Sequence, residues 1–189
     1  QEQTGTVEES QDVAFPVTVT DALGKEITLE EAPDRIVSLT PSNTEILFEL
    51  GLDEEVVGVN DNDNYPEQVA DKTRIGGIEY NIETIISLQP DVVFAHESSM
   101  FTFESAIEQL EASGVTVFVV DNAETFDETY ETIEVIGTLT GKDEEADKII
   151  ASIQSKLADI QAKLQGVSPK TAFMVVGASP DIYVVGQNT

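Results

Sequence analysis

Apolar and polar positions change rhythm several times along this chain, and each change marks an element. Val17 and Val19, then Ile27 and Leu29, alternate with polar neighbours on either side of a turn holding Gly24, the two-residue period of a β-hairpin. Ala32 and Pro33 break that pattern. Apolar, largely β-branched runs then recur at 36–39, 56–59, 90–95 and 115–120, each predicting a buried strand. A shorter extended piece, 74–80, carries Gly76 and Gly77, a pair that lets backbones approach closely. Between these runs the apolar residues fall at helical spacing, which predicts helices over 42–50, 82–88, 103–113 and 126–139. Strand alternating with helix at this interval predicts an α/β, Rossmann-like lobe, a mostly parallel sheet flanked by helices.

The longest periodic stretch runs over 143–165. Ala146, Ile149, Ile150, Ile153, Leu157, Ile160 and Leu164 repeat on one stripe, so a single helix of ~35 Å is expected. Gly166 and Pro169 stop it. Beyond it, 171–176 and 182–185 read as new extended pieces without a sheet to join. We expect this segment to fold back onto the preceding lobe or to pair with another molecule. Residues 1–14 are polar, acidic and poor in large apolar side chains, a solvated, flexible tether.

The turn after the first buried strand concentrates the candidate chemistry. Thr40 and Pro41 stop the strand, and Ser42-Asn43-Thr44-Glu45 spells a capping box, in which the Ser42 hydroxyl accepts from the Glu45 amide and the Glu45 carboxylate from that of Ser42. In an open parallel sheet, ligands sit in the crevice beyond the strands' carboxyl ends. A helix start that binds nothing is the plainer reading of the same residues. The loop Asn60-Asp61-Asn62-Asp63-Asn64-Tyr65-Pro66 leaves the second strand at that edge. Its alternating Asp and Asn suggest calcium, but an EF-hand loop counted from Asp61 needs Gly and Glu where Pro66 and Lys72 stand, so it reads as a solvated polar turn. Asn81 is placed to cap the next helix, with Glu83 in the first turn, where a carboxylate suits the positive helix end. His96, the only histidine, falls just past a strand's carboxyl end. It is either a hydrogen-bonded structural residue or one that touches ligand, axial ligation of a bound metal included.

Charge narrows the partners. Thirty-seven acidic residues against nine basic ones give a formal charge of −28, which repels phosphate backbones and anionic membrane surfaces and sets nucleic acid aside. The excess reads as a solubility device for a salty or alkaline setting. At 40% apolar the chain can still build a core. No apolar run reaches membrane-spanning length, and without cysteine there is no disulfide or thiolate metal site. One histidine and no phosphate-cradling G-x-x-x-x-G-K-[ST] or G-x-G-x-x-G turn leave no nucleophile–base constellation, so no enzyme is expected.

The hairpin 16–29, the strand–turn–helix 36–51 and the stretches 56–66 and 75–90 resemble the periplasmic substrate-binding proteins that serve ABC importers of cobalamin, iron-siderophores and haem. The likeness continues to the end of the chain, and the Pro41–Glu45 turn is most similar to the cobalamin-binding branch. Members hold ligand between two lobes joined by one long helix. The resemblance therefore implies an N-terminal ligand-binding lobe over 15–142, an inter-lobe backbone helix over 143–166 and the incomplete start of a C-terminal lobe over 167–189. It implies an extracytoplasmic solute-binding component of an ABC importer for a metal chelate: a cobalamin-like corrinoid first, an iron-siderophore or haem next. Cobalt or iron would arrive within the ligand, so no cofactor or metal of the protein's own is expected.

By the same resemblance, ligand contacts fall at Pro41, Ser42, Asn43, Asn62, Tyr65, Tyr80 and His96. Glu83 matches the glutamate of the family motif Asn-x-Glu-x-Ile (Asn81, Glu83, Ile85) and is implied to pair with arginines of the permease, which works with its ATPase. Membrane attachment would come only through an N-terminal lipidated cysteine absent from this chain, on a cell surface or in a periplasm. Two departures bear on the ligand. Cobalamin-binding relatives carry aromatic rings near the positions of Asn62 and Gly77, and Arg35 and Arg74 are the only arginines, too few for an acidic siderophore. A surface-tethered sensor or adhesion module on the same fold, and a chelatase-like enzyme, are the competing readings.

Overall fold

The computed structural model describes residues 15–168, 170–177 and 182–185. The expected tether and the helix stop at Pro169 lie outside the described residues. The first described elements form an antiparallel hairpin, β1 (Val17–Thr20) and β2 (Glu26–Leu29), with Val17 opposite Leu29. Gly24 turns it at a φ of 78°, and Asp21 Oδ1 accepts from the amides of Leu23 and Lys25 to fix the bend.

Strand and helix then alternate through β3 (Ile36–Ser38), α1 (Pro41–Glu49), β4 (Val56–Val59), β5 (Thr73–Arg74), α2 (Ile82–Ser87), β6 (Val92–His96), α3 (Met100–Ala112), β7 (Val117–Val120) and α4 (Phe126–Thr140). Five strands pair in parallel in the order β5-β4-β3-β6-β7. From the central β3 the chain leads to one side and from β6 to the other. A crevice therefore opens between their carboxyl ends, the switch point of a doubly wound sheet.

The two-residue period of the strands decides which helix each side chain meets. Ile36, Val56, Val92 and Phe94 point to one face, where Leu47 of α1, Leu50 at its C-cap, and Ile133 and Ile136 of α4 cover them. Val37, Val93, Ala95 and Val117 point to the other, against Ile85 of α2 and Leu110 of α3. Phe94 and Phe118 meet edge to face with ring centroids 5.9 Å apart. The long helix α5 (Asp143–Leu164) docks by its first half only. Ala146 and Ile150 are buried, whereas Ile160 and Leu164 at the far end of the same stripe are 51% and 57% exposed.

Two local expectations are corrected. α1 begins one residue early, with Pro41 as its first helical residue and Thr40 as an extended N-cap whose side chain makes no cap bond. Proline suits that place because its missing N–H is one that the helix leaves unpaired. Ser42 consequently falls inside the first turn, and the Ser42–Glu45 box does not form. The capping box that does form opens α4: Thr125 Oγ1 accepts from the Glu128 amide at 3.2 Å, and Glu128 Oε2 accepts from the Thr125 amide at 2.9 Å. The segment after α5 pairs with itself: β8 (Val175–Gly177) lies antiparallel to β9 (Tyr183–Val184), with Phe173 and Val176 76% and 73% exposed.

Candidate functional site

Past the carboxyl ends of β3, β4 and β6 lies an open depression of about 390 Å³. Thr40 and Pro41 enter it from the turn after β3, and Asn60 and Asn62 from the loop after β4. Gly77, Ile78 and Tyr80 come from the segment before α2, and Ser98 and Ser99 from the turn before α3. In a chain of formal charge −28, none of these nine lining residues is ionised at neutral pH. The surface is one of amides, hydroxyls and apolar edges, with Ile78 82% exposed.

The wall after β4 is anchored from behind. Asn60 Nδ2 donates to the Leu39 carbonyl at 2.8 Å, and the Tyr80 hydroxyl donates to the same oxygen at 2.7 Å. The Asn62 amide returns to Asn60 Oδ1 at 2.9 Å. Arg74 Nη1 donates to the carbonyls of Asn60 and Asp63 at 2.7 and 2.9 Å, gathering both ends of the turn. A side chain at Gly77 would come within 3.2 Å of Asn62 Nδ2, so glycine there lets the two segments close on each other.

Asp63 is the keystone of this wall. It is 3% exposed, and Thr44 of α1 donates to its Oδ2 at 2.6 Å while lying 2.7 Å from Ser38 Oγ of β3. A single chain of hydroxyls thus joins strand, helix and loop. Burial pushes the Asp63 carboxyl above its ordinary value, although the Thr44 hydroxyl, the Asn60 backbone and the Arg74 charge pull the other way. Burial likewise pushes the Tyr80 phenol up to about 12, so it stays a hydrogen-bond donor at neutral pH.

The structure gathers some of the sequence-derived candidates and separates others. Pro41, Asn62 and Tyr80 meet at the depression. Asn43 has no exposed surface: its Nδ2 donates to the Ala95 carbonyl at 2.9 Å and ties α1 to β6. Ser42 is exposed but is not among the lining residues. Tyr65, 62% exposed, lines a separate hollow of about 220 Å³ with Phe48, Glu45 and Glu49. His96 stands half-buried behind Ser98, whose amide donates to its Nδ1 at 3.2 Å. Glu83 is exposed in the first turn of α2, which Asn81 caps by accepting from the Thr84 amide at 3.0 Å.

Thr40, Gly77, Ile78, Ser98 and Ser99 line the depression without having been named as ligand contacts, and Asn60 belongs to the loop that the sequence already set at this edge. Among the described residues no group of three or more His, Cys, Asp or Glu side chains is placed to hold a metal ion.

An uncharacterized ABC transporter substrate-binding lipoprotein of Bacillus subtilis is 46% identical over 178 residues, 93% of this chain and 57% of its own length. A cobalamin-binding protein of Halobacterium salinarum is 31% identical over 182 residues, 93% of this chain and 47% of its own. The chain thus spans about half the length of these curated relatives. The crystal structure of a possible iron-binding (periplasmic solute-binding) protein from Staphylococcus epidermidis superposes with a TM-score of 0.73 at 36% identity, covering 84% of this chain and 62% of that one. The family model described as periplasmic binding protein matches residues 36–189, the whole sheet with its crevice and everything after it, and the chain belongs to that family.

Proposed function

We propose that this chain carries the ligand-binding lobe of an extracytoplasmic solute-binding component of an ABC importer, and that its cargo is a metal chelate with a neutral, carboxamide-bearing periphery, a cobalamin-like corrinoid first. One observation carries the choice of cargo: the crevice is lined by Asn60, Asn62, Tyr80, Ser98 and Ser99 without a single charge. Amide and hydroxyl groups match carboxamides donor to acceptor, and Ile78 and Pro41 supply apolar contact. Haem carboxylates and catecholate siderophores are anionic. They call for Arg or Lys, which this lining lacks and which the surrounding negative charge makes harder to replace. The cobalamin-binding relative from Halobacterium supports the same choice, and the iron-binding one from Staphylococcus keeps iron chelates second.

Titrating the full-length natural protein with cyanocobalamin, haemin and a ferric tris-catecholate by calorimetry tests this. Cyanocobalamin should bind tightest, with Asn62→Asp weakening it. Tighter binding of haemin or the catecholate would refute the argument from a neutral lining. Glu83 is the docking residue in this proposal. Glu83→Arg should abolish uptake through the permease in reconstituted vesicles while leaving ligand affinity unchanged, because an exposed rim charge governs orientation and encounter.

A further inference from the structure

His96 lies beside the crevice without entering it. Its ring nitrogen Nδ1 accepts from the Ser98 amide at 3.2 Å and lies 2.8 Å from the Ser98 hydroxyl. The side chain thereby caps the short 3₁₀ turn Glu97–Ser99, which leads directly into α3. Ser98 and Ser99, the two residues so fixed, form the crevice wall on the β6 side. An imidazole nitrogen can accept from an amide only while it carries no proton. We propose that His96 is a positioning residue that senses pH: its neutral ring holds Ser98 and Ser99 on the crevice wall, and protonation releases that wall.

The chemistry is specific to one bond. Adding a proton to Nδ1 sets two donors, ring N–H and amide N–H, against each other, and the backbone cap is lost. The hydroxyl can rotate and accept from the protonated ring, so the Ser98 side chain stays tethered while its backbone is freed. The charged groups around the ring are Glu97 on the same turn and Asp121 at the end of β7, and both favour the proton. Burial opposes them and prevails, holding the ring below its ordinary 6.5. The sign follows: the cap is complete at neutral pH and is lost as pH falls through the lowered value. Acid would thus loosen the site, and base would not.

The consequence for ligand rests on the importer reading, but the switch itself does not, so the experiment has two arms. His96 is the only histidine, which makes its titration unambiguous by nitrogen-15 and proton NMR. The neutral ring should carry its proton on Nε2, its midpoint should lie below 6.5, and the Ser98 amide resonance should move with the same midpoint. His96→Asn supplies an oxygen that accepts from the amide two residues on but does not titrate, so it should keep the Ser98 resonance at its neutral-pH position throughout. A Ser98 amide indifferent to the ring's titration, or a ring that holds its proton on Nδ1 when neutral, overturns the proposal. In the second arm, cyanocobalamin affinity should drop roughly two- to tenfold across the midpoint, about the worth of one neutral hydrogen bond, in wild type and stay flat in His96→Asn. Equal pH profiles in both proteins would also overturn it. Failure of cyanocobalamin, haemin and the ferric catecholate to bind at any pH counts against the importer reading, and the NMR arm then decides the switch.

Discussion

Replacing Thr44 by Val removes one hydroxyl and almost no volume, and with it the bond that holds the β4 loop against α1 and the contact with Ser38 Oγ. In the wild type that hydroxyl donates to Asp63 Oδ2 at 2.6 Å, and both residues are buried, Thr44 with no exposed surface and Asp63 with 3%. Oδ1 of the same carboxylate has no hydrogen-bond partner, so Thr44 supplies the principal side-chain donor. A hydrogen bond to a charged group contributes about 1.5–3 kcal/mol, and removing one partner also leaves the other buried and unsatisfied. Thr44→Val should therefore cost about 2–3 kcal/mol at pH 7.5. Because burial raises the Asp63 carboxyl above 3.8, the folded state holds its proton longer than the unfolded chain does. The favourable contribution from that difference is fully present below the unfolded value and is lost as pH rises through the folded one. Once the carboxyl is neutral the lost bond is an ordinary one, and the penalty should fall toward about 1 kcal/mol. Urea unfolding followed by far-ultraviolet circular dichroism, at a series of pH values descending from 7.5 through the Asp63 titration, measures both limits, since the chain has no tryptophan to report instead. Thr44→Ser keeps the hydroxyl and should lose only the methyl, about 0.8 kcal/mol, at either limit. A Thr44→Val penalty under 0.5 kcal/mol, or one that grows on acidification, would refute the claim that a buried, charged Asp63 anchors the loop.

Other parts of the structure give equally direct tests. Gly137→Ala places a methyl 2.7 Å from the Ala146 side chain and 3.2 Å from the Lys142 carbonyl, so the α4–α5 crossing should loosen at a cost of about 1–3 kcal/mol in denaturant midpoint analysis. Thr125→Ala removes a formed capping box and should cost about 1 kcal/mol, whereas Ser42→Ala, at a box that does not form, should change stability by less than about 0.5 kcal/mol. Spectrophotometric titration at the phenolate band should show a tyrosine step near 12 that is missing from Tyr80→Phe.

Fold and site were legible to different degrees for a physical reason. Strand positions follow from burial on both faces, and that demand writes itself into the chain as apolar runs such as Val92-Val93-Phe94-Ala95, all buried in the sheet centre. The capping motif misled because S-x-x-E states only what two side chains are able to do. At Ser42 the preceding Pro41 had already started the helix, while Thr125-Phe126-Asp127-Glu128 carried the same signal with nothing upstream to pre-empt it. Asn43 shows a structural role that the pattern alone does not reveal. A polar residue at a crevice reads as a contact, yet the carbonyl of Ala95 needs a donor at that place, and Asn43 is buried to provide it.

The same accounting explains why the crevice is neutral in so acidic a protein. Of the two carboxylates in the β4 loop, Asp63 is buried and spent on Thr44, with Arg74 gathering the loop carbonyls beside it. Asp61 is drawn off similarly, its Oδ1 accepting from the Gly76 amide at 3.2 Å. What remains toward ligand is Asn62, of nearly the same shape as aspartate without its charge, while Asn60, 4% exposed, holds the Leu39 carbonyl and the Asn62 amide. The loop therefore divides its labour: Asp61, Asp63 and Asn60 bind the protein to itself, and Asn62 is left for the cargo. Exchanging the two kinds tests that division in a single protein. Asn62→Asp should weaken a carboxamide-bearing ligand with little effect on stability, and Asp63→Asn should leave ligand contacts in place while flattening the pH dependence of unfolding. If Asp63→Asn instead altered ligand preference as strongly as Asn62→Asp, the separation between anchoring and recognition would not hold.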